Sequence, residues 1–185
     1  DSSTSRGLGD VYKRQYIDGK SLRQYVNDET GAGGNLSVHE ICRIGVELCC
    51  ILEYLHGFNG NGILHMDIKP DNIMLDINGK VKLIDFDNAV AGNAGVSVDS
   101  GSPLYAAPEQ YSGEYAVTQS DVYSVGMVIL FMVSHGHIKT DKGHNLAGIP
   151  RRYSRLYHVI EKSIHHQWGL RYSSVTVSYT HLRAH

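Results

Sequence analysis

The chain has 185 residues, of which 42% are hydrophobic and 19% charged, with a formal net charge of −2. That is material for one domain with a sizeable core, and it gives no case for a nucleic-acid partner or an anionic membrane surface. The longest apolar run, Val125 to Val133 with one glycine, is too short to span a bilayer, so no membrane contact is expected of these residues.

The two ends carry an unusual relation. Codons that can specify Asp10-Val11-Tyr12-Lys13-Arg14-Gln15, reverse-complemented and read from the third base, specify Val-Ser-Tyr-Thr-His, which is Val177 to His181. The ends are therefore an inverted repeat at the DNA level and resemble a sequencing adapter translated on both sides. Residues 1–15 and 177–185 are read as non-native tails, left out of the fold reasoning and expected to make few specific contacts. Gly7-Leu8-Gly9 then needs no phosphate-binding role.

Asn27 to Asn35 is polar and glycine-rich, hence a loop. Ser37-Val38-His39-Glu40 has the form of a capping box. Ile41, Ile44, Leu48, Ile51, Leu52 and Leu55 follow at helical spacing, and Gly57 offers a stop. Cys42, Cys49 and Cys50 lie in this helix and cannot all face one another, which predicts reduced packing cysteines and a cytoplasmic location. The histidines show no metal-ligand spacing, and adjacent His165 and His166 diverge on any regular element.

His65-Met66-Asp67-Ile68-Lys69-Pro70-Asp71-Asn72 carries the chemistry. Asp67 can accept a proton from a hydroxyl, Lys69 can neutralise a moving phosphate, and Asn72 can hold a magnesium ion. Ile73-Met74-Leu75 and Val81-Lys82-Leu83-Ile84 flank Asn78-Gly79, which predicts a tight hairpin. The hairpin would bring Asn72 and Asp85 to one end, where both offer oxygen to a hard cation. Asn93 to Ser102 is small and polar, as in a mobile segment. Thr118 can cap a helix running to about Ser134, and Tyr153 to His166 is amphipathic. No internal repeat or low-complexity tract is present.

Four motifs in this order resemble those of protein kinases. His65 to Asn72 resembles the catalytic loop, with Met66 where many members have Arg. Leu83-Ile84-Asp85-Phe86-Asp87 resembles the metal-binding Asp-Phe-Gly segment, with Asp87 in the glycine place. Gly101 to Glu109 resembles the end of the activation segment, closing on Ala107-Pro108-Glu109. Ser120 to Gly126 resembles the start of the buried helix of the large lobe, and Tyr16 to Leu22 the hinge between lobes.

The resemblance implies an α+β, mainly α-helical fold: a C-terminal kinase lobe over residues 16–176, lacking the β-rich small lobe. It implies a serine/threonine protein kinase, bacterial in style given Ala107-Pro108-Glu109-Gln110, that moves the γ-phosphoryl group of Mg-ATP to a Ser or Thr hydroxyl of a protein substrate. A fragment of this kind is expected to be inactive alone. Lys69, two residues after Asp67, separates this class from tyrosine kinases. A pseudokinase binding module and a small-molecule phosphotransferase are the alternatives. By the same resemblance Ile17, Ser21, Lys69, Asn72, Met74 and Asp85 would contact ATP. Asn72 and Asp85 would hold Mg²⁺, which Mn²⁺ could replace. Ser102 and Tyr105 would face the substrate hydroxyl, and His65 and Phe86 would pack as an internal spine. Asp121 would be structural, and Glu109 would pair with Arg171 beneath the activation segment. Met66 removes the arginine that answers an activation-segment phosphate. Asp87 replaces a residue that permits positive φ, at a backbone cost, and adds negative charge near the metal.

Overall fold

The computed structural model describes residues 17–31, 33–92, 101–112, 116–138, 146 and 149–183. Five helices lead: α1 (Leu22–Gly31), α2 (Val38–His56), α3 (Thr118–Val133), α4 (Tyr157–Ser163) and α5 (Val175–Arg183). Short strands lie between and before them: β1 (Gly19–Ser21), β2 (Ile63–Leu64), β3 (Ile73–Asp76), β4 (Val81–Leu83) and β5 (Val90–Ala91). Tyr16, the activation stretch 93–100 and residues 1–15 lie outside the described residues.

α2 starts as its sequence predicts. Ser37 Oγ accepts the Glu40 N–H at 3.1 Å, while the Glu40 carboxylate turns away to accept the Tyr25 hydroxyl. Only half of the capping box is therefore made. The helix buries Ile41, Ile44, Leu48 and Leu52 on one stripe, together with Cys42 and Cys49. Cys50 is exposed, so two of the three free thiols pack and the third does not. Burial pushes the Cys49 thiol up to about 12, which keeps it protonated and inert.

α3 is buried all round from Ser120 to Val133, and apolar there apart from Ser120, Asp121 and Ser124 near its start. Its cap position falls on Val117, which offers no side-chain acceptor; Thr118, the expected cap, is already inside the first turn and bonds Gln119. Gly126 lets α4 approach, since a Cβ there would lie 2.6 Å from Ser163 Cβ. The helix expected over Tyr153 to His166 divides into a 3₁₀ stretch, Arg151–Leu156, and α4; Tyr153, Leu156, Val159, Ile160 and Ser163 form its buried side.

The C-terminal tail reverses an expectation. Val175, Ser178 and Leu182 are buried on one face of α5. Leu182 has no exposed surface, and its Cδ1 lies 3.1 Å from where a Cβ on Gly45 of α2 would be. The expectation of few contacts therefore fails for 177–183, because these residues extend an apolar stripe at helical spacing onto a small-residue notch.

β1, β3 and β4 form an antiparallel sheet in the order β1-β3-β4, with Ser21 opposite Met74 and Ile73 opposite Leu83. The β3–β4 turn is closed by Asp76, whose backbone N–H donates to Lys80 O and whose Oδ1 accepts from Asn78 and Lys80, each at 2.9 Å. Gly79 sits there at φ 73°, which its missing Cβ permits. The ladder continues as Ile84 N–H donates to Asn72 O at 2.9 Å, which brings the residue before Asp85 beside Asn72.

Candidate active site

The His65–Asn72 loop is pinned from below by one carboxylate. Asp121, in the first turn of α3, is fully buried. Its Oδ2 accepts the His65 N–H and its Oδ1 the Met66 N–H, each at 3.0 Å, and His56 Nε2 lies 2.8 Å from Oδ2. Both oxygens of this buried carboxyl group therefore have partners, as burial of a polar group requires. Met66 is held at φ 64°, a left-handed conformation unusual for a side chain of its size. Its side chain packs with Leu64, Val90 and Ala116 in a small apolar cluster apart from the main core.

Asp67 comes next and is 7% exposed. Its Oδ1 accepts the Ser102 hydroxyl at 2.8 Å and the Ser102 N–H at 3.2 Å. Its Oδ2 accepts from Lys69 Nζ at 2.7 Å and from the Asn72 amide at 3.1 Å. Burial pushes this acid up, but the bonds from Lys69 and Ser102 and the Lys69 charge outweigh it and hold the carboxyl below the usual range. Asp67 is therefore an ionised acceptor at neutral pH. Lys69 Nζ also reaches Ser102 Oγ at 2.7 Å, so a hydroxyl, a carboxylate and an ammonium meet at one point. The Asn72 amide also donates to Asp67 O at 2.9 Å, which orients the group and turns Oδ1 away from the loop.

The second carboxylate sits differently. Asp85 is exposed and left-handed at φ 65°. Positive φ was expected at Asp87, in the glycine place, yet Asp87 is not among the positive-φ residues. The strain falls two residues earlier, on a residue whose short polar side chain tolerates it. His65 and Phe86 meet in a tilted contact with ring centroids 4.8 Å apart, but Phe86 is 44% exposed, so the expected internal spine is only partly buried. Burial lowers the His65 pKa; its Nδ1 accepts from Asp67 N–H, which leaves Nε2 to donate to Ile84 O at 3.3 Å. His65 is thus a neutral strut.

The Ile84–Asn72 backbone bond places Asn72 and Asp85 at the same end of the hairpin. Among the described residues no group of three or more His, Cys, Asp or Glu side chains could hold a metal alone. A sparse set of hard oxygens fits Mg²⁺, which keeps waters and substrate phosphates as its other ligands. Of the residues expected to contact a nucleotide, Ser21 pairs with Met74 across β1 and β3, and both are half-buried, as is Ile17. Ser21 Oγ also accepts the Gln24 N–H at 3.2 Å, so it serves the start of α1 as well.

Ser102 joins Asp67, whereas Tyr105 is buried and its hydroxyl interacts with Arg23. Tyr105 is 5% exposed, lies edge-on to Phe131 with centroids 6.5 Å apart, and its carbonyl accepts the Ser124 hydroxyl. Its expected substrate-facing position is corrected to a core one: α3 offers it an apolar wall. Glu109 and Arg171 meet through parallel bonds of 2.6 and 2.8 Å, with side chains 3% and 0% exposed. Arg171 further donates to the carbonyls of His165, His166 and Gln119 and lies over the Tyr123 ring, while Ser120 donates to Glu109. Sequence reasoning passes over His56, Gln110 and the Arg23–Asp71 pair, whose partners are distant or of unremarkable type.

The site is thus a buried carboxylate bonded to a hydroxyl, a lysine and an amide. The model of the protein kinase domain matches residues 12–172, and the chain belongs to that family. It is 34% identical over 143 residues to the probable serine/threonine-protein kinase PknB of Lactococcus lactis subsp. lactis, covering 72% of this chain and 22% of that protein. It is 33% identical over 134 residues to the serine/threonine-protein kinase PknB of Mycobacterium leprae, with shares of 70% and 20%. Against the serine/threonine-protein kinase PrkC of Bacillus subtilis it is 33% identical over 131 residues, with shares of 69% and 19%. The chain spans about a fifth of the length of these relatives.

Proposed function

We propose that this chain is the large, C-terminal lobe of a bacterial-type serine/threonine protein kinase, and that the whole protein transfers the γ-phosphoryl group of Mg-ATP to a Ser or Thr hydroxyl of a protein substrate. The observation that carries the reading is Asp67, ionised, with one oxygen on a hydroxyl and the other on Lys69. Asp67 orients the acceptor hydroxyl and takes its proton as the oxygen–phosphorus bond forms. Lys69 sets its charge beside Asp67 and the Ser102 hydroxyl, and would face the transferred phosphate there. Asn72 and Asp85 would hold the magnesium, which when bound neutralises phosphate charge. Ile17, Ser21 and Met74 would line the nucleotide side. The buried, free Cys42 and Cys49 support a reducing, cytoplasmic setting; no described helix is long and apolar enough to cross a membrane.

A pseudokinase is favoured only by Asp87, whose carboxylate adds like charge beside Asp85. Retention of Asp67, Lys69, Asn72 and Asp85 weighs against it. The 185-residue chain alone should show no turnover, because positioning of the phosphates carries most of the catalysis in this chemistry. In a two-lobed protein carrying this lobe, Asp67→Asn should lower kcat by at least about 10²-fold. A kcat near the parental value would contradict the assignment of the base.

A further inference from the structure

Met66 stands directly before Asp67 in a left-handed conformation, and the structure grips it at both ends of its residue. Its N–H is taken by Asp121. Its carbonyl is taken by Gln110, whose Nε2 donates at 2.9 Å from a side chain on the far side of the activation segment. Gln110 is 1% exposed. Its orientation follows from its other contact. The Ala107 N–H can only donate, and it meets Oε1 at 3.0 Å, which leaves Nε2 toward Met66. The Ala107 bond closes the 3₁₀ turn over Pro108–Gln110. The Met66 bond does not belong to that turn and crosses to another loop. Room for it comes from Gly101, at φ 138°, where a Cβ would lie 2.9 Å from Gln110 Nε2 and 2.6 Å from Ala106 Cβ.

We propose that Gln110 is a positioning residue for Asp67: with Asp121 it holds the Met66 backbone in the left-handed state that aims the Asp67 carboxylate, and so ties the aim of the base to the end of the activation segment. The bond is buried, so its loss leaves the Met66 carbonyl without its donor inside the protein. A left-handed methionine persists only while its surroundings over-determine it. Asp67 in turn needs both oxygens aligned on Ser102, Lys69 and Asn72 at once. The functional part of this inference rests on the phosphotransfer reading; the clamp itself does not.

The test therefore has two arms. In the 185-residue chain, Gln110→Met keeps length and removes the donor. Gln110→Glu at about pH 8 keeps an acceptor for Ala107 but turns the donor toward Met66 into an acceptor. Hydrogen exchange at the Met66 and Asp67 amides should quicken by about tenfold or more in both variants, with Val128 in α3 unchanged. Unchanged exchange at Met66 and Asp67 would overturn the clamp. In the two-lobed protein, both variants should lower kcat by about 10- to 100-fold and leave KM for ATP within about twofold, since a small misalignment costs the chemical step rather than binding. Asp67→Asn is run beside them. A full loss in Asp67→Asn with parental kcat in both Gln110 variants would overturn the positioning role alone, whereas no loss in Asp67→Asn would overturn the phosphotransfer reading.

Discussion

Asp67 and Asp85 are carboxylates of the same candidate site, set by the fold in opposite surroundings. Asp67 is buried, bonded at both oxygens, and stands on a loop nailed to α3 by Asp121. Asp85 is exposed, at a strained φ, at the end of a short hairpin beside a half-exposed Phe86. The Asp67 side of the site rests on the helical interior, where both oxygens of Asp67 and both of Asp121 have partners. The Asp85 side, proposed above to hold the metal, is an edge whose carboxylate is exposed. Stability and acid response should follow the interior, and nucleotide affinity should follow the edge.

The same contrast appears in two arginine–carboxylate pairs of like geometry. Arg171 meets Glu109 at 2.6 and 2.8 Å in the interior; Arg23 meets Asp71 at 2.7 Å twice, with side chains 38% and 47% exposed. Removing Arg171 strands Glu109 and three carbonyls, so Arg171→Ala should cost roughly 3–5 kcal/mol. Arg23→Ala breaks a screened pair and should cost no more than about 1 kcal/mol. Equal denaturant midpoints for the two variants would erase the distinction. Next in size is the C-terminal helix. Leu182→Ala should cost about 2–5 kcal/mol if α5 belongs to the interior, and an unchanged melting temperature would return residues 177–183 to the status of a loose tail.

Acid sharpens the comparison further. Burial alone would raise the Glu109 acid, but the bonds from Arg171 and Ser120 and the Arg171 charge win, so the folded pKa lies below the unfolded one. The pair's stabilisation is then fully present above the unfolded value, near about 4.3, and is lost as pH falls through the lower folded value. Melting temperatures followed from about pH 7 to about pH 3 should fall more steeply in the parent than in Glu109→Gln. Parallel slopes would mean that the pair does not carry the acid response.

Much of this was legible in the residues themselves. Local chemistry read well: Ser37 starts α2, Asn78-Gly79 turns β3 into β4, and the motif spacing brings Asp67, Lys69 and Asn72 into mutual bonds. Long-range packing read poorly. Tyr105 turns into the core because α3 meets it with Phe131, a partner no local pattern names. Val175, Ser178 and Leu182 form a stripe only once Gly45 is seen to leave a notch. The positive φ expected at Asp87 is found instead at Asp85, two residues past the end of β4. Gln110 carries no signal in its spacing, since its partner is a backbone carbonyl 44 residues away.

The division of the site is tested most directly by Mg-ATP affinity, measured by calorimetry on Asp67→Asn and Asp85→Asn in the two-lobed protein. If Asp85 is the proposed metal ligand, Asp85→Asn should weaken Mg-ATP binding by about tenfold or more, while Asp67→Asn should stay within about threefold of the parent. Parental affinity in Asp85→Asn, or an equal loss in both, would contradict the assignment of Asp67 to the proton and Asp85 to the metal.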